Sequence, residues 1–264
     1  MMDFVVASYE NYNEEDRLTT DQARRVEFLT TIRVLEQWLP SNGRMLDCAA
    51  GTGIYSFHYA ERGYDVTATD ITPRHIDYIK RRLDGKPFSI STAVQDATDL
   101  SRFADESFDV VLCMGPFYHL IEKSMREKCM AECRRVAKTG GLVVVSYISR
   151  FYVMAYVAAS NNAYLDSQLI KQITDTGVVL HDDPMCFWTD NYFATPDEME
   201  ASVHEAGLSI VDHFVQDGIS PLMRSTVNGL TQEQFQIWCE YHYSVCREKS
   251  ILGASNHSVV IGRK

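Results

Sequence analysis

The chain has 264 residues, a formal net charge of -11 and a sequence pI near 5.2. This length is typical of one α/β domain with a substantial buried core. The acidic balance argues against nucleic acid as a partner, because affinity for a polyanion comes largely from clustered Lys and Arg. A small molecule is therefore the expected partner.

The N-terminus lacks the basic flank and apolar stretch of a secretory signal, and no window approaches the roughly 18 apolar residues of a membrane span. We therefore expect a cytoplasmic protein that does not bind membranes and is a monomer or a homodimer. Seven Cys without any Cys-x-x-Cys pair indicate reduced thiols and no metal site. Cys129 and Cys133, spaced i and i+4, are interpreted as part of an apolar helical stripe.

The first elements form a strand, loop and helix unit behind a leading helix. Apolar residues at helical spacing predict a helix over residues 19–39, which Pro40 ends. Residues 44–48 then indicate a buried strand. A loop of small residues, 49–53, leads into a helix over residues 54–62 that stops at Gly63.

Strands and helices continue to alternate through the middle of the chain. Strands are predicted at residues 65–70, 88–93, 108–113 and 142–146, and helices at residues 73–82 and 122–137. Pro73 stands at the first turn of its helix, where a missing N–H is tolerated. This alternation predicts a doubly wound, mostly parallel α/β sheet with helices on both faces.

The segment after the fifth strand is rich in aromatic residues and weak in periodicity, so we interpret it as an insertion. A helix at residues 195–206, a strand at 208–215, a helix at 231–248 and a closing strand at 257–262 follow it. The predicted organisation is one domain, 1–264. Its parts are an N-terminal helical cap (1–42), a cofactor-binding core (43–150), an insertion that covers the acceptor (151–194) and the rest of the core (195–264).

Polar and small residues follow the predicted parallel strands, at the edge where ligands bind such sheets. Asp47 ends the first strand, and Gly51 and Gly53 leave room for a ligand to approach the backbone. Asp70 ends the second strand about twenty residues later, where it can accept hydrogen bonds from ribose hydroxyls. Residues 95–97, Gln-Asp-Ala, follow the third strand, where Asp96 could accept a hydrogen bond from an adenine amino group.

Four segments carry a family resemblance. Residues 46–53, Leu-Asp-Cys-Ala-Ala-Gly-Thr-Gly, resemble the glycine-rich first motif of the class I S-adenosylmethionine-dependent methyltransferases. Residues 107–113 resemble the family's fourth strand, and residues 135–141 resemble its turn before strand five. Residues 114–120 resemble a segment of a bacterial subgroup that acts on small molecules. Ala49 and Ala50 depart from the commoner Gly-x pair of the first motif, which tightens the loop.

The resemblance implies S-adenosylmethionine as cofactor, S-adenosylhomocysteine as product, and a Rossmann-like seven-stranded sheet with an antiparallel last strand. It also implies roles for single residues. Gly51 and Gly53 would pack under the methionine, Asp70 would hold the ribose, Asp96 and Ala97 would flank the adenine, and Met114 would close over the sugar. Tyr9, Tyr12 and Arg17 would cover the methionine carboxylate. The complete predicted cofactor set is Asp47, Ala49, Gly51, Gly53, Tyr55, Asp70, Ile71, Asp96, Ala97, Met114, Tyr12 and Arg17.

Methyl transfer from a sulfonium mainly requires that donor and acceptor be held together, so few catalytic groups are needed. His119 is the candidate base for an acceptor that loses a proton, with Tyr118 as its positioning partner. The alternative is that His119 packs or caps the next helix. The predicted acceptor-binding residues are Arg150, Tyr156, Trp188 and Tyr192, although aromatic residues in such a segment also serve packing. The methylated atom, oxygen, nitrogen or sulfur, stays open.

The sequence leaves three alternative functions to consider. An NAD-dependent dehydrogenase shares part of the fingerprint, but Ser56 occupies the third glycine position and Asp47 is unfavourable beside a pyrophosphate. A nucleic-acid methyltransferase would carry an Asn- or Asp-Pro-Pro-aromatic segment where residues 114–117 read Met-Gly-Pro-Phe. A non-catalytic S-adenosylmethionine-binding protein is the third alternative.

Overall fold

The structure is a computed structural model, and it describes residues 2–12, 14–15 and 17–264. The helices are α1 (Met2–Asn11), α2 (Gln22–Leu35), α3 (Ile54–Ala60), α4 (Pro73–Leu83), α5 (Lys123–Val136), α6 (Arg150–Ser160), α7 (Ser167–Thr176), α8 (Pro196–Glu205), α9 (Arg224–Asn228), α10 (Gln232–Val245) and α11 (Lys249–Leu252). The strands are β1 (Arg44–Cys48), β2 (Asp65–Asp70), β3 (Ile90–Val94), β4 (Phe108–Cys113), β5 (Ala137–Ile148), β6 (Val178–Val179), β7 (Asn191–Tyr192), β8 (Ser209–Val215) and β9 (His257–Arg263). No helix among these residues is long and apolar enough to cross a membrane.

Seven strands form one sheet in the order β3-β2-β1-β4-β5-β9-β8. The strands from β3 to β5 pair in parallel, whereas β9 runs antiparallel to both β5 and β8. The predicted seven-stranded, mostly parallel sheet with an antiparallel last strand is therefore confirmed. The chain reverses its direction of winding between β1 and β4, and this switch point is where ligands bind in such sheets.

Alternation along each strand supplies the two apolar layers that flank the sheet. In β1, Met45 packs into one layer with α3 and α4, and Leu46 packs into the other with α5. Strands that bury both faces need a continuous apolar sequence, and residues 110–113 of β4 and 142–145 of β5 provide one. The helices then hold the carboxyl ends of β1, β2 and β4 at one edge.

The structure differs from the sequence-based prediction at several places: α1, α9 and α11 were not predicted, β5 begins at Ala137 within the expected turn, and the insertion is more regular than expected. Helix α1 was not predicted, because its short sequence lacks a capping signal and a wide apolar stripe. The insertion is mainly helical, with α6, α7 and the short β6–β7 pair, although its sequence shows weak periodicity. Leu169 and Ile173 of α7 are buried, which shows that tertiary packing stabilises this helix.

Gly53 caps the N-terminus of α3 with a φ of 83°, and a Cβ there would lie 2.9 Å from Ile79 Cγ1 of α4. Left-handed backbone costs a residue with a Cβ about 1–2 kcal/mol, and overpacking costs about 1–3 kcal/mol more. We therefore expect Gly53→Ala to destabilise the protein by about 2–5 kcal/mol in thermal or denaturant unfolding. Gly63, with a φ of 91° and open space around it, is the matched control. Equal losses for Gly53→Ala and Gly63→Ala would contradict the packing explanation.

Candidate functional site

A cleft opens at the carboxyl ends of β1, β2, β3 and β4, between the sheet edge and α1. Of the predicted site residues, it is lined by Asp47, Ala49, Gly51, Tyr55, Asp70, Ile71, Asp96, Ala97, Met114, Arg17, Tyr118 and His119. The loop after β1 forms its floor. Ala49 and Gly51 both have left-handed backbone, with φ values of 63° and 55°, and this folds the loop tightly over the strand end.

Asp70 fixes the shape of this loop. Its Oδ2 accepts a hydrogen bond from the Gly51 N–H at 2.8 Å, and its Oδ1 accepts one from the Thr72 N–H at 2.8 Å. The side chain is only 5% exposed, so these bonds form in a largely dry environment. Each carboxylate oxygen has a second lone pair, which leaves Asp70 able to accept a hydrogen bond from a ligand as well.

Asp47 lies beneath the loop and is an unusual acid. Its Oδ2 accepts a hydrogen bond from Ser56 Oγ at 2.5 Å, and the side chain is 2% exposed. Burial raises the pKa of Asp47 to about 7, and the neighbouring Asp70 carboxylate adds to the increase, whereas the Ser56 hydrogen bond opposes it. Asp47 therefore changes charge near neutral pH, directly under the cleft.

The raised pKa of Asp47 predicts a pH-dependent stability. The folded state favours the protonated acid, so the contribution of Asp47 is fully present below its unfolded pKa of about 3.9 and is lost as pH rises through about 7. Asp47→Asn keeps a neutral side chain at all pH values. We expect the free energy of unfolding of Asp47→Asn minus that of wild type to increase by a few kcal/mol between pH 4 and pH 8. Urea unfolding across this range measures it, and a constant difference would contradict the shift.

The chemistry of the donor set fits S-adenosylmethionine. Carboxylates end β2 at Asp70 and follow β3 at Asp96, whose Oδ1 accepts hydrogen bonds from the Thr98 N–H and Oγ. Both ring nitrogens of His75 and Tyr55 Oη are buried at the cleft without a hydrogen-bond partner among the described residues. His75 Nδ1 is 3.2 Å from Asp70 Oδ1 but is not aligned for a hydrogen bond. Unpartnered buried polar atoms are costly, and a polar ligand in this cleft would satisfy them.

Helix α1 and the segment after it cover the other side of the cleft. Arg17 donates to Glu14 Oε1 at 2.6 Å and to both oxygens of Glu27 at 2.8 and 3.0 Å. These acids hold the guanidinium at the cleft wall and leave part of its five-donor set free. Tyr12 is 36% exposed and is not among the residues that line the cleft, and its role toward the cofactor stays a prediction.

His119 lines the cleft and is 6% exposed. Its Nδ1 is 3.1 Å from the Asp190 carbonyl oxygen, which can only accept, so Nδ1 carries the proton. Its Nε2 is 3.0 Å from Tyr9 Oη. Burial lowers the pKa of His119 to about 4, and burial raises the pKa of Tyr9. At neutral pH, therefore, both side chains are uncharged, and the Tyr9 hydroxyl donates a hydrogen bond to His119 Nε2.

Aromatic rings surround this pair. The Tyr118 ring meets the His119 ring at 4.8 Å in an edge-on arrangement, and its hydroxyl donates a long hydrogen bond of 3.5 Å to the Met114 carbonyl oxygen. Trp188 lies 5.3 Å from His119 and 6.3 Å from Tyr9, measured between ring centroids, and is 41% exposed. Trp188 therefore borders the mouth of the cleft without being part of its lining.

None of the four predicted acceptor-binding residues is among the described residues that line the cleft, and only Trp188 has ring contacts with residues that do. Arg150 donates to both oxygens of Glu198 at 2.7 and 2.6 Å and to the Phe193 carbonyl oxygen at 3.0 Å, which fixes the insertion to α8. Tyr192 joins the same group through Glu198, and Tyr156 is 41% exposed on α6. These partners are distant in sequence, so spacing alone could not show that the guanidinium is occupied.

Gly53 also lies outside the cleft lining, because its role is the packing of α3 against α4. Conversely, the sequence reasoning missed lining residues that the structure brings to the cleft: Val5, Glu14, Glu15, Leu18, Ala50, Thr52, Ile54, Thr72, His75, Gln95, Gly115, Pro116 and Leu120. His75 was detectable in principle, since it stands in the first turn of the helix that follows β2, at the ligand-binding edge. The contribution of α1 depended on a helix that the sequence did not predict.

Comparison with known proteins gives a family match in the same region. A family model described as a methyltransferase domain matches residues 46–145. Ubiquinone biosynthesis O-methyltransferase from Cereibacter sphaeroides is 33% identical over 184 residues, which are 68% of this chain and 66% of that protein. Glycine/sarcosine N-methyltransferase from Parasynechococcus marenigrum is 32% identical over 104 residues, which are 39% of this chain and 37% of that protein. The chain thus spans just under two thirds of the first relative and about a third of the second.

The fold also matches solved structures. An S-adenosylmethionine-dependent methyltransferase of Methanosarcina mazei superimposes with a TM-score of 0.61 at 19% identity, covering 88% of this chain and 96% of that one. This likeness covers more of the chain than the matched domain, residues 46–145. At 19% identity, the superposition shows a shared fold and nothing about the reaction.

Proposed function

The chain belongs to the class I S-adenosylmethionine-dependent methyltransferases, and we propose that its cleft transfers the methyl group of that cofactor to a small-molecule acceptor held beside Tyr9 and His119. One observation carries this proposal. A single cleft is lined by the Asp70 and Asp96 carboxylates and by the Tyr9–His119 pair. Tyr9 lies between these groups, because its ring contacts both His75, which neighbours Asp70, at 5.6 Å and His119 at 5.5 Å between centroids.

Residues of this chain would hold the cofactor as follows. Asp70 would accept hydrogen bonds from the ribose hydroxyls while it keeps the Gly51 loop in place, and Asp96 would accept one from the adenine amino group. Arg17, fixed by Glu14 and Glu27, would donate to the methionine carboxylate. When bound, the cofactor supplies a methyl group that its sulfonium has already activated. The remaining work of the protein is to orient the acceptor and exclude water.

The Tyr9–His119 pair suits an acceptor that loses its proton as the new bond forms. A neutral imidazole with a pKa of about 4 is a weak base, so it does not ionise an acceptor in advance. It can take a proton from an oxygen or nitrogen that becomes acidic during methylation. Tyr9, whose hydroxyl touches Nε2, would orient the acceptor hydrogen and pass the proton to His119.

The acceptor is proposed to be small and partly aromatic or apolar. Val5, Tyr118 and Leu120 line the cleft together with Tyr9 and His119, and the Trp188 ring packs against His119. The relatives named above are an O-methyltransferase of ubiquinone biosynthesis and an N-methyltransferase of glycine and sarcosine, so relatives alone leave oxygen and nitrogen open. The net charge of -11 speaks against nucleic acid. We also propose a cytoplasmic location and a monomer or homodimer.

Formation of S-adenosylhomocysteine across a panel of small phenols, amines and thiols, with duplex DNA as a comparison, tests the proposal. We expect turnover with one class of small acceptor, and loss of that turnover in Trp188→Ala through a higher KM. Turnover with DNA but no small acceptor would overturn the acceptor assignment. Cofactor binding without turnover on any acceptor would favour the non-catalytic alternative.

A further inference from the structure

Four of the seven cysteines meet in the apolar layer between the sheet and α5. Cys113 ends β4, and Cys129 and Cys133 lie one turn apart on the face of α5 that packs against it. Cys48 ends β1, pairs in register with Cys113, and belongs to the same apolar layer. The sequence pattern alone identified Cys129 and Cys133 as helix packing, and the fold adds the two strand residues.

Three of these thiols form a compact triangle, which we call the thiol cluster: Cys113, Cys129 and Cys133. Their Sγ atoms all lie within 4.8 Å of one another, and the Cys113 to Cys129 separation is 3.7 Å. In an equilateral triangle, the distance from the centre to each corner is the side length divided by √3. Sulfur separations of 3.7 to 4.8 Å therefore place a central point about 2.1 to 2.8 Å from each Sγ atom. Bonds between thiolates and soft metals, about 2.3 Å for zinc, fall within this interval.

The surroundings of the thiol cluster restrict the charge of any ion it holds. All three residues have at most 1% of their surface exposed, and Leu46, Val111 and Val143 belong to the same apolar layer. The Asp96 carboxylate is negative, and its field opposes further negative charge at Cys129. A divalent ion on three thiolates leaves one negative charge, and recruiting Cys48 leaves two. An uncompensated buried charge is strongly unfavourable.

We propose that the thiol cluster is a binding site for a trivalent thiophilic ion of the arsenic and antimony type, which three thiolates neutralise completely. With arsenous acid, three S–H bonds and three As–OH bonds break, three As–S bonds form, and three water molecules leave. No electron is transferred and no net charge is buried. Soft thiolate ligands select such ions over harder ones. Entry requires α5 to separate locally from the sheet, so binding is slow.

Native mass spectrometry of the intact protein, incubated with arsenite and a phosphine reductant, tests this site. We expect a gain of one arsenic and a loss of three hydrogens per chain, together with a higher Tm, because the ion binds the folded state. X-ray absorption at the arsenic edge should show three sulfur neighbours and no oxygen. Because this measurement uses wild-type protein, it holds even where a variant folds poorly.

The variants Cys129→Ala and Cys133→Ala should each abolish the mass gain and the rise in Tm. Cys239→Ala, which removes a half-buried thiol outside the cluster, is the matched control and should retain both. Arsenic retained by Cys129→Ala, or oxygen neighbours in the absorption spectrum, would overturn the site. Retention of Zn2+ with no retention of arsenite would refute the charge argument, and the proposal with it. None of these outcomes depends on methyl transfer, so the proposed function is tested separately.

Discussion

Replacing Asp70 with Asn is expected to weaken binding of S-adenosylhomocysteine by at least about 10²-fold, since hydrogen bonds to a charged group contribute about 1.5–3 kcal/mol each and 1.4 kcal/mol is tenfold in affinity. Two effects add. The variant loses the charge that would accept from the ribose, and it cannot accept from both the Gly51 and Thr72 N–H groups. Calorimetric titration measures the loss. The loop and the ligand therefore depend on the same carboxylate.

Asp65→Asn is the matched control for this prediction, because Asp65 begins the strand that Asp70 ends and its side chain is 70% exposed. It should bind S-adenosylhomocysteine like wild type. Thermal unfolding of both variants separates a local loss of binding from general destabilisation. Unchanged affinity in Asp70→Asn would show that the ligand does not contact this carboxylate.

Replacing His119 with Gln is expected to lower kcat by about 10²- to 10⁴-fold, the usual contribution of a positioned proton acceptor. Affinity for S-adenosylhomocysteine should stay within about 3-fold of wild type, well under the tenfold that 1.4 kcal/mol represents. Because the pKa of His119 is about 4, the imidazole is neutral between pH 6 and pH 8, and its titration should not change the wild-type kcat in that range. Protonation of His119 should lower kcat only at acidic pH. Single-turnover rates with an identified acceptor give both results.

His242 provides the control for the His119 variant. It is also buried, burial also lowers its pKa, and its Nε2 also contacts a backbone carbonyl oxygen, that of Gln216. His242 does not line the cleft. His242→Gln should therefore keep its kcat per folded molecule. An equal loss of kcat in the two variants would indicate that burying Gln perturbs the fold, and that His119 takes no proton.

The sheet and the strand-end residues that line the cleft could be predicted from sequence because their signals are local. Strand periodicity, the small residues of 49–53 and the position of Asp70 after β2 each depend on a few neighbouring residues. The parallel topology then brings the strand ends together without further information. The antiparallel β9 was implied by the family resemblance.

The surroundings of His119 and Arg150 could not be predicted in the same way, because their contacts join residues distant in sequence. Tyr9 forms a hydrogen bond with His119, 110 residues later in the chain, and Arg150 forms an ion pair with Glu198, 48 residues later. Helix α1 lacks the apolar stripe and the capping residues by which a helix is recognised in sequence. Its stability depends on tertiary packing, which local sequence does not reveal. The thiol cluster likewise needs the packing of α5 on β4, which spacing along either element does not reveal.

We propose above all that the cleft beyond β1 and β2 binds S-adenosylmethionine. Calorimetric titration of the wild-type protein with S-adenosylmethionine, S-adenosylhomocysteine and NAD, each in a separate experiment, tests it most directly. The structure predicts binding of the first two at one site per chain with micromolar affinity and no heat of binding with NAD. Binding of NAD in place of the sulfonium pair, or no binding of any of the three, would contradict it.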